Sequence, residues 1–224
     1  MRSISCLVLF LLPLTTLWAQ KNTEPEYYTD SDLKKRVVLL EARSSSMVGM
    51  RRLATTMDGT VVDPSLFPYR PRFVMSNGLH GAFLLKGSLH AGIGVEMSDW
   101  SYAVSSPSLP VEPFTWRGSY WAIPFRAGFV TEVNETYTLE VWPQATLNKL
   151  KVFRINDEDY SLHATQQFWS GGISLLGGRA VGIRGRFLLG ATMDFGFRPL
   201  YYVNARATEY PIRTGVSVGY RMAF

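Results

Sequence analysis

The chain has 224 residues with a formal net charge of +5, and its composition already excludes several classes of protein. Hydrophobic residues make up 46% and charged residues 18%, so the chain is too apolar to be intrinsically disordered. Gly and Pro, with 19 and 12 residues, are too few for a collagen-like repeat. A single cysteine excludes a disulfide scaffold, because a bridge needs two. The basic balance permits anionic partners, but it gives no reason to expect nucleic-acid binding.

The first residues carry the three regions of a secretory signal peptide. Arg2 supplies a positive charge, the segment Cys6 to Leu12 is apolar, and Ala19 provides a small residue at the expected cleavage point. A membrane anchor is the alternative, but the apolar run is too short to span a bilayer and Pro13 interrupts it. We therefore expect a signal peptide at residues 1–19 and an exported mature chain that has lost its only cysteine.

The rest of the chain divides into a leader and one folded domain. Residues 20–35 are polar and predict a flexible periplasmic leader, whereas residues 36–224 are long enough for one domain with a sizeable core. No later segment has 18 consecutive apolar residues, so no transmembrane helix is expected. If a membrane is the destination, a closed β-barrel is the remaining way to cross it.

Apolar and polar residues alternate along most of the folded domain, which predicts β-strands. In the last segment, for example, Val216, Val218 and Tyr220 alternate with Ser217, Gly219 and Arg221. The first strand has a poor pattern and is placed because the barrel needs it. Eight strands are expected, near residues 36–50, 72–86, 88–100, 120–129, 136–148, 166–181, 186–198 and 210–224.

The connections between these strands alternate between short and long. Short turns are expected at 86–88, 131–135 and 182–185, and long loops at 53–71, 105–117, 154–165 and 199–209. Short turns at the end that holds both termini, with long loops opposite, are typical of outer-membrane barrels. The predicted fold is therefore all-β: an eight-stranded antiparallel up-and-down transmembrane β-barrel.

Alternation alone does not tell which face of the barrel points outward. A soluble lipocalin-like carrier hides its apolar face inside, around a small hydrophobic ligand. Here the apolar face is bulky and the polar face is rich in Gly, Ser and Thr, which suits a narrow polar lumen and favours the membrane barrel. Aromatic residues near the strand ends predict an interfacial girdle, with ordinary core aromatics as the alternative. The girdle residues expected are Trp100, Trp121, Tyr137, Trp169 and Tyr202.

Two segments resemble a known family. The strand Tyr120 to Phe129 is similar to the aromatic-x-x-Ile-Pro-x strand of outer-membrane β-barrel domains common in Bacteroidota, the PorT-like and OmpA-like transmembrane barrels. The ending Gly215 to Phe224 resembles their last strand. That resemblance implies that Tyr220 and Phe224 belong to the signal read by the barrel assembly machinery. The family more often ends Tyr-Arg-Phe, so the inserted Met222-Ala223 departs from its pattern.

Charged residues on the polar face are the strongest candidate site. If this face points inward, acids and arginines share a lumen in which unpaired charges are costly, so an interior ion-pair network that plugs the barrel is expected. Because the arginines counted there, Arg198 included, outnumber the acids, a narrow anion-preferring pathway is the alternative. The predicted network consists of Glu96, Arg126, Glu140, Arg186, Asp194, Arg213 and Arg221, with His90 nearby.

Catalytic and metal-binding patterns are not found in the sequence. His80, His90 and His163 lack metal-ligand spacing, and no nucleophile or phosphate-binding motif is present. His90 and Glu96 lie on one strand at roughly 20 Å, too far apart for a catalytic pair. We therefore predict no enzyme activity, no metal and no cofactor. Pro143 cannot donate to a strand ladder, and predicts a bulge or an early strand end.

These observations define the expected role and partners. The main hypothesis is a plugged, non-pore outer-membrane barrel with a structural or interaction role in the cell envelope. The resemblance to PorT-like barrels implies that the protein could be a subunit of a secretion or envelope complex. The alternative to the membrane barrel is the lipocalin-like carrier. Expected partners are outer-membrane lipids, the barrel assembly machinery, envelope proteins and lipopolysaccharide, whose phosphates could pair with Arg51, Arg52, Arg70 and Arg72.

Overall fold

A computed structural model describes residues 38–53, 69–104, 114–182, 184–200 and 209–224. The predicted signal peptide and leader, Tyr202 and most of three long loops lie outside these residues. Within the described ranges the one helical segment is a short 3-10 turn at Ser161–His163. None of the helices described is long and apolar enough to span a membrane.

Eight long strands form the wall of the molecule, and a ninth is a two-residue strand, β6, in a hairpin after β5. Asn156 and Asp157 turn this hairpin at positive φ angles of 50° and 71°. The strands are β1 (Val38–Leu53), β2 (Tyr69–Lys86), β3 (Leu89–Val104), β4 (Phe114–Glu132), β5 (Tyr137–Ile155), β6 (Glu158–Asp159), β7 (Gln167–Val181), β8 (Gly185–Gly196) and β9 (Glu209–Ala223).

The long strands close into a barrel in which every neighbouring pair is antiparallel. β1 pairs with β9 from Leu39 opposite Ala223 to Leu53 opposite Glu209, and β5 pairs with β7 past the small hairpin. This seam removes the sheet edges that would otherwise expose unpaired backbone groups. The predicted eight-stranded antiparallel up-and-down barrel is confirmed.

Short turns join the strands at the end of the barrel where Val38 and Phe224 meet. Gly87 and Gly182 adopt φ angles of +58° and +67°, a region that residues with a Cβ rarely occupy. In the third turn the Oδ1 atom of Asn134 accepts hydrogen bonds from the backbone N–H groups of Thr136 and Tyr137, both at 2.9 Å. These residues explain why the connections at this end are tight.

Two strands run beyond the alternating segments of the sequence. β4 begins at Phe114 and β5 ends at Ile155, where the sequence predicts loops. β5 also continues through Pro143, which pairs with Ile173 of β7, and its register against β4 is the same before and after the proline. The predicted bulge or early end at Pro143 is therefore wrong, because one missing donor interrupts one ladder only locally. The irregularity between β4 and β5 lies instead at Ser119/Tyr120.

Apolar side chains cover the outside of the barrel. Large apolar residues on all eight long strands are between 45% and 68% exposed, for example Leu40, Leu79, Ile93, Phe125, Leu139, Leu175, Leu189 and Val216. The alternate positions point inward and are largely Gly, Ser, Thr and charged residues, many of them buried. Compared with a soluble globule the barrel is inside out, which is the arrangement of a transmembrane barrel.

Two apolar layers also lie inside the barrel, one near each end. At the loop end the buried cluster consists of Trp100, Tyr102, Trp116, Tyr120, Phe153, Ala164, Phe168 and Leu200. At the turn end a smaller cluster consists of Leu39, Ala82, Trp142, Leu176, Leu188 and Ala223. The charged residues of the lumen lie around and between these two layers, which positions the candidate site.

Candidate functional site: the charged lumen

Glu41 on β1 is the centre of the largest group of charges in the lumen. Its Oε1 atom lies 2.6 Å from Nη2 of Arg43 and 3.2 Å from Nη1 of Arg126. Its Oε2 atom accepts hydrogen bonds from Arg221 through Nη2 at 2.6 Å and Nε at 3.1 Å. All four side chains are buried, so one carboxylate contacts three guanidinium groups that have left water.

Glu140 on β5 extends this group across the lumen. Arg221 links it to Glu41, since Nη1 of Arg221 lies 2.7 Å from Oε1 of Glu140. The second carboxylate oxygen of Glu140 accepts a hydrogen bond of 2.8 Å from Nε1 of Trp142, and Thr138 donates to Oε1 at 3.3 Å. Both oxygens of a fully buried acid are thereby satisfied, as the cost of burying a charge requires.

The ring of Trp142 lies against the same guanidinium groups. The Cζ atom of Arg126 is 4.8 Å from the ring centroid, and that of Arg221 is 5.4 Å away. Cation–π contacts of this length are favourable, and more so where water is excluded. The central group therefore joins strands β1, β4, β5 and β9 through side chains alone.

A second group centres on Asp194 of β8, nearer the loop end. Arg213 of β9 donates to Oδ2 of Asp194 at 2.9 Å, and Gln144 donates to Oδ1 at 2.9 Å. The Nη1 atom of Arg213 also donates to the Ser98 hydroxyl group and, at 3.2 Å, to the backbone oxygen of Asp99. Its guanidinium group lies 4.2 Å from the ring centroid of Trp100, so it connects the charged region to the aromatic cluster.

Two smaller pairs complete the charged lumen. Glu96 lies 3.2 Å from Nε2 of His80 and accepts a hydrogen bond of 2.9 Å from the Ser76 hydroxyl group. Arg186, at the turn end, lies 3.3 Å from Glu132. Each long strand except β2 and β7 contributes at least one acid or arginine to the lumen. β2 contributes His80, and β7 contributes Ser174, which accepts a hydrogen bond from Arg43.

The seven charged residues that the sequence singles out all lie in the lumen, but few of them are each other's partners. Two contacts join members of the set, Arg221 with Glu140 and Arg213 with Asp194. The other contacts involve partners that the sequence reading did not include, namely Glu41, Arg43, His80, Glu132 and Gln144. Glu41 and Arg43 were missed because they belong to the poorly patterned first strand.

The numbers of arginines and acids in the lumen differ from those expected from the sequence. Arg198 lies beyond the end of β8 and is exposed, so it does not belong to the lumen. Within the described residues, the charged groups in the ion pairs above include five arginines and five acids. The excess of arginine that suggested an anion-preferring pathway is thus not present there. The arginines are Arg43, Arg126, Arg186, Arg213 and Arg221, and the acids are Glu41, Glu96, Glu132, Glu140 and Asp194.

Trp100 is not part of an outer girdle, contrary to the prediction. It is 1% exposed and points into the lumen, where its ring packs edge-on against Phe168 with a centroid distance of 5.6 Å. Tyr120 also packs edge-on against Phe168, with a centroid distance of 5.1 Å, and the ring of Tyr102 lies 5.4 Å from that of Trp116. The aromatic residues counted near the long loops thus include a set that fills the lumen.

Three of the other predicted girdle residues lie on the outer wall. Trp121 and Trp169 are each 47% exposed on the outer wall, and Tyr137 is 46% exposed at the turn end. Tyr202 lies outside the described residues. Trp169 lies 6.0 Å from Phe125 between ring centroids, so the outward aromatics near the loop end form contacts of their own.

Phe224, predicted to belong to the assembly signal, is half exposed at the turn end of β9. Its backbone pairs with Val38, with N–O distances of 2.9 and 3.3 Å, and this contact helps to close the seam. Tyr220 also points to the outer side of the wall and is partly exposed. Its hydroxyl group lies close to Gly185.

The described residues offer little for catalysis. No cluster of three His, Asp or Glu side chains among them could hold a metal ion. His80 is paired with Glu96, the Nδ1 atom of His90 lies 3.1 Å from the backbone oxygen of Ser88, and His163 is exposed in the 3-10 turn. In the Ser76–Glu96–His80 contact the carboxylate lies between the other two groups, so the histidine cannot take a proton from the serine as it would in a hydrolase triad.

Comparisons with known proteins agree with this architecture. No protein-family model matches the chain, and no curated protein matches it. Among solved structures, the outer membrane protein OprG from Pseudomonas aeruginosa is similar, with a TM-score of 0.53 and 7% identity over 84% of this chain and 97% of OprG. Neisserial surface protein A gives a TM-score of 0.49 and 13% identity over 84% of this chain and 97% of that protein. The likeness to OprG is one of fold: the chain has the fold of small outer-membrane β-barrels.

Proposed function

We propose that this protein is a closed, non-conducting β-barrel of the bacterial outer membrane with a structural or interaction role in the envelope. The observation that carries the proposal is the lumen, which is occupied by paired charges and has an aromatic layer toward the loop end. Eight strands leave an interior just wide enough for side chains to fill it.

The outer wall supports insertion into a membrane. On β5 the outward residues from Tyr137 to Leu147 are uncharged and lie between Glu135 and Lys149. On β2 the corresponding stretch runs between Arg72 and Lys86. These lengths are close to the roughly 9–11 residues that a tilted strand needs to cross the hydrocarbon region. An outer surface of this composition would be a liability for a protein in water.

The filled lumen supports the absence of a pore. An ion that passed the centre would have to displace Arg221 from both Glu41 and Glu140, and these contacts bring three long side chains together. Removing one partner of a buried charge pair costs about 3–5 kcal/mol, so spontaneous opening at this level is rare. The barrel is better suited to present its loops than to conduct solutes.

Fractionation and conductance test the proposal. The processed chain, folded in the outer-membrane fraction, should migrate differently on gels before and after boiling, and should give no steady ionic current in planar bilayers. A protein released in soluble form on lysis would contradict the membrane assignment. A stable current of uniform size would contradict the closed lumen while leaving the membrane assignment intact.

A soluble lipocalin-like carrier is less well supported. Such a carrier needs its apolar face inside, whereas inward positions such as Glu41, Ser174 and Arg213 are polar and outward positions such as Leu79 are 68% exposed. An apolar ligand would also need space in a lumen that charged side chains occupy. The cheap test is the same fractionation experiment, because a carrier would appear in the supernatant.

Membership of a secretion or envelope complex is a finer proposal, which rests on the resemblance to PorT-like barrels. Likewise, we propose that Tyr220 and Phe224 are read by the barrel assembly machinery and that other envelope proteins bind the loops. Pull-down of the folded barrel from native membranes tests the complex, with specific envelope proteins as the expected result. Deleting Phe224 tests the signal, and should lower the amount of folded barrel in the outer membrane.

A further inference from the structure

Four cations lie on the outer wall just beyond the apolar band, on one side of the barrel. Arg72 is on β2, Arg117 is on β4, and Lys149 and Lys151 are on β5, and all four side chains are exposed. We refer to these residues as the basic wall patch. They lie toward the loop end on three strands, β2, β4 and β5, and β3 between β2 and β4 contributes none of them.

Both lysines of this patch lie beside the ring of Trp121 on the neighbouring strand. Lys149 is the direct cross-strand partner of Trp121, and the Lys151 ammonium group lies 5.8 Å from its ring centroid. The register shift at Ser119/Tyr120 leaves Lys151 without a partner on β4, so both lysines point outward beside the same indole ring. Outward tryptophans of this kind mark the boundary between acyl chains and head groups in membrane proteins.

The patch carries a surplus of positive charge. Arg117 pairs with Asp99 at 2.8 Å, and the other oxygen of Asp99 accepts a hydrogen bond from Ser119 at 2.6 Å. Neither Lys149 nor Lys151 has an acid within salt-bridge distance in the described part of the chain. The nearest acids of the β5–β6 hairpin, Glu158 and Asp159, lie opposite Ile155 and Arg154, farther from the apolar band.

The opposite side of the barrel has a different composition at this height. There the outward residues Trp169, Phe197 and Ile212 are uncharged, and Arg198 is the exposed cation among the residues described in this part of the wall. Among the side chains described at this height, the positive charges are concentrated on β2, β4 and β5. This concentration of cations indicates a ligand position on that side of the wall.

We propose that the basic wall patch binds the phosphate groups of a phosphorylated glycolipid, of the lipid A type, in the outer leaflet. This inference rests on the proposed function, since it requires the loop end of the apolar band to lie at the outer surface of the membrane. Lysines act as point charges for phosphate and arginine adds paired donors, while Trp121 lies beside the upper part of the acyl chains. Each cation near an anionic lipid surface strengthens binding severalfold.

The test uses the folded barrel in zwitterionic detergent micelles, titrated with lipid A that carries its phosphates or has had them removed. Tryptophan fluorescence reports binding near Trp121, and the gel shift on boiling reports that the barrel is folded. The test variant is K149Q/K151Q. Its matched control is K86Q/R184Q, which removes two exposed cations at the turn end. Inorganic phosphate is added in a separate arm.

We expect the phosphorylated lipid to bind the wild type and the control at least tenfold more tightly than the dephosphorylated lipid. K149Q/K151Q should weaken that binding on the order of tenfold. Two results would overturn the inference and leave the proposed function intact. One is equal affinity of a folded barrel for both lipids, and the other is an equal loss of affinity in K149Q/K151Q and K86Q/R184Q. Competition by inorganic phosphate at low millimolar concentration would show a site for the free anion and would also overturn it. A chain that forms no heat-modifiable barrel would instead overturn the proposed function, and the inference with it.

Discussion

Glu41 has more charged partners than any other lumen residue described, although nothing in the sequence around it stands out. It lies within hydrogen-bonding distance of Arg43, Arg126 and Arg221, and it is itself buried. A buried cation that loses its partner keeps its full desolvation penalty, so the three arginines depend on this carboxylate. The stability of the barrel should therefore be more sensitive here than at any exposed acid.

Replacing Glu41 with Gln should lower the free energy of unfolding by about 3–5 kcal/mol, since it leaves buried guanidinium groups uncompensated. Urea titration of the barrel in lipid vesicles measures this loss. The control is Glu135→Gln in an exposed turn, which should change stability by less than about 0.5 kcal/mol. Equal stability of both variants would show that the charges around Glu41 are solvated and not paired in a dry lumen.

A second residue-scale feature lies on the outer wall of the barrel. Ser44 of β1 donates a hydrogen bond of 2.7 Å to Oδ1 of Asn77 on β2, on the outer face of the wall. Ser44→Ala should cost about 1–3 kcal/mol because it leaves the amide oxygen without its donor. The double variant S44A/N77L should recover most of this loss, since both polar groups are then gone. The same urea titration measures both, and a double variant less stable than the single one would contradict a hydrogen bond between these two side chains on the outer wall.

At the scale of elements, the alternation of residues accounts for most of the wall. Strands such as β8 and β9 could be predicted because most outward positions are apolar and most inward positions are small or charged, which gives a period of two. β1 could not be predicted in this way, because Ser44 and Ser46 are polar although they point outward. Its outer face therefore differs little in polarity from its inner face, which carries Arg43 and Ser45. Glu41 and Arg43 were missed for this reason.

The ends of β4 and β5 were missed for another reason. Residues Thr115 and Arg117 extend β4 beyond the apolar band, where outward residues are polar and the sequence resembles a loop. Trp100 was assigned to the girdle because aromatics collect near strand ends, although its place in the alternation puts it on the inward face. The spacing of residues in the sequence does not show which strands and side chains meet across the barrel. These contacts determine both the ends of the strands and the inward position of Trp100.

The tight turns give an element-scale prediction. Gly87 has a φ angle of +58°, so Gly87→Val should be strained and should destabilise the barrel by about 1–3 kcal/mol. Gly87→Asn is the matched control, because Asn tolerates this backbone region better than a β-branched residue. Unfolding in urea should rank the wild type first, then the Asn variant, then the Val variant. A Val variant as stable as the Asn variant would mean that the turn adopts another conformation.

At the scale of the whole molecule, the barrel is inside out, with apolar side chains on its outer wall and charges within. Tryptophans report both surfaces. Trp121 and Trp169 are each 47% exposed on the wall, whereas Trp100 and Trp142 are 1% and 0% exposed inside. Trp116, at 9%, is also inside, and Trp18 belongs to the predicted signal peptide.

Quenching of tryptophan fluorescence by lipids with brominated acyl chains tests this central claim most directly. In vesicles of these lipids, the wild-type barrel should be strongly quenched, and the variant W121F/W169F should lose most of that quenching. The matched variant W100F/W142F should keep it, because the tryptophans that touch lipid remain. Quenching that persists in W121F/W169F and disappears in W100F/W142F, or no quenching of the wild type at all, would contradict the account.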